Sequence, residues 1–341
     1  MRIEASDYGP DAAIFLDAAA ETLAGGKRLR ARFCHAGWSS VAYATDRNAV
    51  ATDAVWDLCA ALEVFQSAAL VHDDLIDNSD TRRGKPAAHR ALEARHDEHA
   101  WSGDGAGFGR SAAILLGDLL ISWSDDLLER AIDRHPHASS VRRTYARMRR
   151  DVTSGQFLDI AEESAWRVNP DTEHAERALR VVSLKSARYS IEQPLALGAS
   201  LAGADDRQLD ALRAFGHPVG MAFQLRDDVL GVFGDESVTG KPAGDDLREG
   251  KRTVLIALTR ERLDASARRV LDDLVGDPDL DAAQVAALQA TISASGALER
   301  VEEMIRSYTT EADRALAGAA LDNASVASLR DLARAATVRT A

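Results

Sequence analysis

Two acidic clusters stand in near-identical settings about 150 residues apart: His72-Asp73-Asp74-Leu75-Ile76-Asp77 and Phe223-Gln224-Leu225-Arg226-Asp227-Asp228-Val229-Leu230-Gly231. Each closes an apolar run of helical character. Carboxylates at i and i+4 on a helix share a face about 5 to 6 Å apart, so Asp73 and Asp77 can hold a hard divalent cation from a rigid wall. Oxygen-only donors suit Mg²⁺, which keeps waters and shares itself with substrate phosphates. Two such helices form an anionic mouth that accepts a diphosphate only together with metal.

Asp and Glu number 54 of 341 residues, so acidic pairs also arise as solvated helix faces. Asp125-Asp126-Leu127-Leu128-Glu129 imitates the first cluster and is read that way, because no arginine pair or glycine turn follows it. The first cluster is followed by Arg82-Arg83-Gly84-Lys85-Pro86, and the second by Gly240-Lys241-Pro242, Asp245-Asp246 and Gly250-Lys251. Arginine forks bind phosphate oxygens in a bidentate way. Acid, metal and nearby base together make a diphosphate site.

The elements that must position these groups are helices. Alanine, leucine and arginine dominate, aromatic content is 5%, and only 8 prolines interrupt the chain, an all-α composition with no alternating β-branched run. Stretches 54–70 and 111–128 are apolar on most faces, as in helices buried inside a large bundle. A first helix is expected to end at Gly25-Gly26, a polar turn at 78–90, a glycine-rich surface loop at 97–109, breaks near Pro136, Pro170 and 203–206, and a long polar loop over 234–250. The motifs make sense only together, so residues 1–341 are read as one domain. Net charge is −13 with no basic block, which disfavours nucleic acid as a partner. Cys34 and Cys59 lie in apolar stretches and read as small buried hydrophobes in a reducing cytoplasm. Neither a signal peptide nor a membrane span is expected.

The motifs from Gly25 to Lys251, in this order, resemble the trans-isoprenyl diphosphate synthases, the polyprenyl synthetase family, and among these the bacterial geranylgeranyl diphosphate synthases. The resemblance implies a single polyprenyl synthetase domain with the isoprenoid synthase fold, a helical bundle around a central active-site cavity. It implies a homodimer and about three Mg²⁺ ions per active site. Its substrates would be isopentenyl diphosphate and allylic diphosphates: dimethylallyl, geranyl or farnesyl. Asp73, Asp74 and Asp77 match the first aspartate-rich motif, and Asp227 and Asp228 the second. Arg82 matches the arginine on the allylic diphosphate. Arg83, with Lys27, Arg30 and Gln66, matches the set that holds isopentenyl diphosphate without metal. Lys185 and Lys241 match lysines on the leaving diphosphate, Ser186 and Gln224 line the path of the cation, and Gln156, Asp159 and Lys251 match further motif positions. For Gln224, Gln156, Asp159 and Lys251 a capped or solvated helix residue remains an alternative.

One departure stands out. The family's third aspartate in the second motif is Gly231 here, and Asp235 lies four residues on, a candidate to take over its metal role. The series Asp227, Gly231, Asp235 also resembles the metal triad of class I terpene cyclases, the runner-up. A cyclase has no second diphosphate and no use for Lys27, Arg30 and Arg83, which favours elongation. A regulatory subunit would be expected to lose one cluster. Product length is read from the helix before Asp73: Ala68 and Ala69 lie about a turn below the metals and Phe65 a turn deeper, with one turn about 5.4 Å. In short-chain members of the family an aromatic ring at the level of Ala68 or Ala69 forms the floor, so the resemblance implies that an open level here, with a floor at Phe65, gives geranylgeranyl diphosphate. Farnesyl or longer products, and a floor set from the 111–128 helix with Phe65 only packing the core, are the alternatives.

Overall fold

The computed structural model describes residues 8–234 and 243–337. Helix makes up 77% and strand 1%, so the all-α expectation holds. The chain divides into two compact units, residues 1–32 with 51–135, and residues 33–50 with 136–341.

In the first unit, α1 (Pro10–Thr22), α3 (Asp53–Ile76), α4 (Ala88–Glu98) and α5 (Gly105–Ile132) pack together, with α3 and α4 both against α5. Val64, Ala68 and Val71 of α3 meet Ala113, Leu116 and Leu120 of α5, with Leu92 and Ala19 closing the cluster. A fully buried Val or Leu contributes about 1.5–3 kcal/mol, so this seam fixes α3 firmly. The α3 window of mean hydropathy 1.5 is long and apolar enough to cross a membrane, yet half of it is buried inside the structure. Between α3 and α4 lies a hairpin of two-residue strands, β1 (Thr81–Arg82) and β2 (Lys85–Pro86). The expected glycine-rich loop ends early: Gly105, Gly107 and Gly109 belong to α5. At Gly109 a Cβ would collide with the His89 carbonyl, so packing explains why glycine is tolerated inside a helix there.

Helix α2 (Leu29–Thr45) begins in the first unit and continues into the second. The second unit adds α6 (Ala138–Ala165), α7 (His174–Val181), a π-helical segment (Val182–Glu192), α8 (Gln193–Leu201) and α9 (Asp206–Phe233). A short α10 (Asp245–Glu249) follows, then α11 (Val254–Arg262), α12 (Ala265–Leu274), α13 (Ala282–Ala294), α14 (Ala297–Ala315) and α15 (Asn323–Thr337). The expected breaks near Pro136, Pro170 and 203–206 coincide with the starts of α6, α7 and α9, whereas part of the expected 234–250 loop is helical as α10. Helix α9 starts from a capping box in which Asp205 accepts from the Gln208 N–H. It packs on the π-helical segment and on α14, where Arg226 makes a bidentate bond to Glu302 at 2.5 and 2.8 Å. Since Arg226 precedes Asp227, this anchor sets the rotation of the acidic end of α9.

Candidate active site

In the first unit the acidic cluster sits where α3 stops. The Asp77 N–H bonds the Asp73 carbonyl at 2.8 Å, Asn78 turns left-handed at φ 52, and the Ser79 N–H returns to the Asp74 carbonyl at 2.8 Å. That 6→1 closure is of the Schellman kind, and it ends the helix just after its last aspartate. Asp74 is buried while Asp73 and Asp77 are half-buried. Arg82 donates to Asp74 through Nε at 2.7 Å and also through Nη2, and Nη2 lies 3.9 Å from Asp73.

The hairpin sends its two arginines to different places. Arg83 and Gly84 occupy the turn at φ 55 and 72, the pattern of a type I′ turn. Arg83 donates to the Ala24 carbonyl at 3.0 Å and lies over Gly26, where a Cβ would come within 2.8 Å of Nη2. Arg28, from the same segment as Lys27 and Arg30, bonds the Leu23 carbonyl at 2.5 Å and approaches Glu63 at 3.7 Å. Burial holds the Arg83 guanidinium below its ordinary pKa, and the charges of Arg28, Arg82 and Arg30 push the same way against Glu63. Four guanidinium groups thus share one field, an anion-receptive spot beside the acidic cluster. Arg28 was not singled out from the sequence, although it lies within Gly25-Gly26-Lys27-Arg28-Leu29-Arg30. Lys27 is exposed, and Arg30 and Gln66 are half-buried.

Along α3, Asp73, Ala69 and Phe65 fall at i, i−4 and i−8 on one stripe. Ala68 does not join them: it is fully buried in the α3–α5 seam, about 100° round the helix from Ala69. Phe65 is 6% exposed and Ala69 half-buried. His72 rests against Gly117 of α5, with Nε2 3.2 Å from the Ile114 carbonyl.

In the second unit, α6, the π-helical segment and α9 bring a second set together. The Lys185 Nζ bonds Asp159 at 2.5 Å, and Gly155 lets α6 approach the Lys185 backbone more closely than any Cβ would allow. Gln156 follows that glycine and is half-buried. The Ser186 Oγ donates to Gln224 Oε1 at 2.5 Å, and Gln224 Nε2 donates to Asp228 Oδ1 at 2.7 Å. A chain of hydroxyl, amide and carboxylate therefore runs from the π-helical segment to the acidic end of α9; π-helical turns are frequent at functional sites. Lys251 bonds Glu249 at 2.5 Å and lies 3.6 Å from Asp246. Asp235 and Lys241 lie outside the described residues.

Burial pushes the Asp228 carboxyl up to about 8, and the charges of Asp246 and Asp227 add to this, while the Gln224 hydrogen bond and Lys251 oppose it. Among the described residues no three acidic, histidine or cysteine side chains converge as a finished metal shell. The donors nevertheless fit a hard divalent cation. They are oxygen-only carboxylates, and Mg²⁺ takes one or two carboxylates and fills its octahedron with water and phosphate.

A family model described as polyprenyl synthetase matches residues 13–292. The chain belongs to the polyprenyl synthetase family. Geranylgeranyl pyrophosphate synthase from Corynebacterium glutamicum, solved with isoprenyl diphosphate and magnesium, is a structural relative at TM-score 0.93 and 39% identity, over 99% of this chain and 94% of that one. Heptaprenyl diphosphate synthase component 2 of Geobacillus stearothermophilus is 33% identical over 96% of this chain and 89% of its own. A farnesyl diphosphate synthase of Mycobacterium bovis is 30% identical over 80% and 70%. Membership makes this chain a polyprenyl diphosphate synthase of the transferase class, in a family that uses isopentenyl and allylic diphosphates. These polyprenyl synthetase relatives differ in product, so the likeness leaves chain length open.

Proposed function

We propose that the protein condenses isopentenyl diphosphate head to tail with an allylic diphosphate, requires Mg²⁺, and makes geranylgeranyl diphosphate. The observation that carries this reading is the cluster of Arg28, Arg30, Arg82 and Arg83 beside the first aspartates. An enzyme that ionises one diphosphate has no use for a second cationic site; one that joins two diphosphates needs it. In the reaction the allylic C–O bond breaks, the double bond of isopentenyl diphosphate attacks the resonance-stabilised cation, and a proton leaves, restoring an allylic diphosphate. Mg²⁺, held by Asp73, Asp74, Asp77, Asp227 and Asp228, would supply the positive charge that neutralises the departing diphosphate. Arg82 and Lys185 serve that same charge, with Lys241 and Lys251 assigned alongside by family pattern. Arg83, Arg30, Lys27 and Gln66 hold the isopentenyl diphosphate. The Gln224 amide and Ser186 hydroxyl, ordered by their mutual bond, present dipoles along the path of the cation, and Gln156 completes the lining.

Product length is assigned to the stripe of Ala69 and Phe65, with Phe65 as the floor. The same reading takes α3 as an interior helix, residues 1–341 as one catalytic domain, and the enzyme as a cytoplasmic homodimer. The test is incubation of purified protein with labelled isopentenyl diphosphate, Mg²⁺ and each of the dimethylallyl, geranyl and farnesyl primers, followed by sizing of the products. Geranylgeranyl diphosphate is expected, with turnover lost on chelation. Cyclic hydrocarbon made from a single allylic diphosphate without isopentenyl diphosphate would overturn the reading.

A further inference from the structure

The second cluster has no side chain at Gly231, i+4 from Asp227, yet the space there is filled. A Cβ built on Gly231 would overlap the Asp246 carboxylate, with Cγ and both oxygens of that group inside 3 Å. Asp246 reaches this point from α10, which is held from several sides. Gly244 and Gly250 bracket the helix at φ 75 and 80, and Leu247 is fully buried in the core. The Arg248 side chain bonds the Leu280 and Ala243 carbonyls at 3.2 and 3.1 Å, and the Lys251 N–H returns to the Asp246 carbonyl at 3.1 Å. The Asp246 side chain is 15% exposed, and Lys251 stands nearer to Glu249 than to it.

We propose that Asp246 is the third carboxylate of the second cluster, supplied by α10 in place of the side chain missing at Gly231. The assignment rests on the metal-binding reading of Asp227 and Asp228. It gives to Asp246 the role that spacing along the chain offered to Asp235. Because Asp227, Asp228 and Asp246 do not form a finished shell, Asp246 acts as an outer carboxylate, raising the affinity of the cluster for a hydrated divalent cation. Glycine at 231 and aspartate at 246 are then one design. The small residue makes room for a carboxylate that arrives from another helix, and a second carboxylate at 231 would crowd it.

The test counts Mn²⁺ bound to the full-length protein with inorganic pyrophosphate, by electron paramagnetic resonance of the free ion, beside the Mg²⁺ dependence of turnover. Asp246→Asn is expected to weaken one class of Mn²⁺ about tenfold and leave the rest at parental affinity, with Asp235→Ala changing neither. Gly231→Asp placed on Asp246→Ala should recover most of the loss, since the carboxylate returns to the same volume. Parental Mn²⁺ binding in Asp246→Asn, with Asp227→Asn clearly weakened, would overturn the assignment and leave Asp246 a partner of Lys251 only. Parental binding in both variants would overturn the metal reading of the cluster and the assignment with it. Should Asp246→Asn fail to fold by circular dichroism, the double variant decides: recovered Mn²⁺ affinity supports the proposal, and none overturns it.

Discussion

Gly155→Ala tests how Lys185 is positioned. In an open helix the change stabilises by about 1 kcal/mol, because alanine is the better helix former. At position 155 the new methyl would stand 2.7 Å from both Leu184 C and Lys185 Cα, and nearer still to the Lys185 nitrogen. Ordinary carbon contacts lie at about 3.5–4.0 Å, so α6 and the π-helical segment must part by about 1 Å. The obstructing atoms are backbone and cannot swing aside. Overpacking of this kind costs about 1–3 kcal/mol, which offsets the propensity gain and leaves a net loss of up to about 2 kcal/mol. The melting temperature should fall by up to about 8 °C. Since displacement of a reacting group by 1 Å can cost about 100-fold, incorporation of labelled isopentenyl diphosphate should fall by about that factor. A variant that melts at or above the parent and turns over as fast would refute the reasoning.

Chelated protein should carry a pH signature of Asp228. With its pKa raised from 3.8 to about 8, the folded state keeps a proton that the unfolded state loses, so this group makes stability fall as pH rises through that window. Asp228→Asn removes the effect, and in EDTA its melting temperature relative to the parent should climb from pH 5 to pH 8; a constant difference would count against the shift. Arg83→Ala should raise KM for isopentenyl diphosphate at least about tenfold while the allylic KM stays within about twofold, and equal effects on both would remove the division of labour between Arg82 and Arg83. Ala69→Phe should shorten the product to farnesyl diphosphate in a stable enzyme. Ala68→Phe, forced into the α3–α5 seam, should lower stability by about 1–3 kcal/mol, measurable by urea unfolding; normal stability there would contradict the packing.

What could be seen in the sequence was local. Asp73 and Asp77, or Asp227 and Gly231, announce their spacing on any helix, and the apolar runs before them mark α3 and α9 as interior. The breaks at Pro136 and Pro170 followed from backbone chemistry. What stayed hidden needed contacts across the chain. Asp246 fills the space over Gly231 from 15 positions away, which no periodicity encodes. Arg28 joins Arg83 only because the hairpin folds back toward residues 24–26, and strands of two residues leave no alternating pattern. Ala68 and Ala69 look equivalent as neighbours but separate once α5 claims one of them. The π-helical segment carrying Lys185 likewise has no mark in composition.

Backbone comfort and charge make opposite demands at the cationic loop. Among the described residues five other than glycine have positive φ, and two of them, Arg28 at 51 and Arg83 at 55, belong to the arginine cluster. Such a conformation costs a residue with a side chain about 1 kcal/mol or more, and glycine or asparagine would occupy it at less cost. Arg83→Gly should therefore relieve the turn while weakening isopentenyl diphosphate binding, so a screen for thermostability alone would select it and a screen for turnover would discard it. On the proposed reading, the backbone strain at these two arginines is a stability cost carried by the loop that binds the second diphosphate.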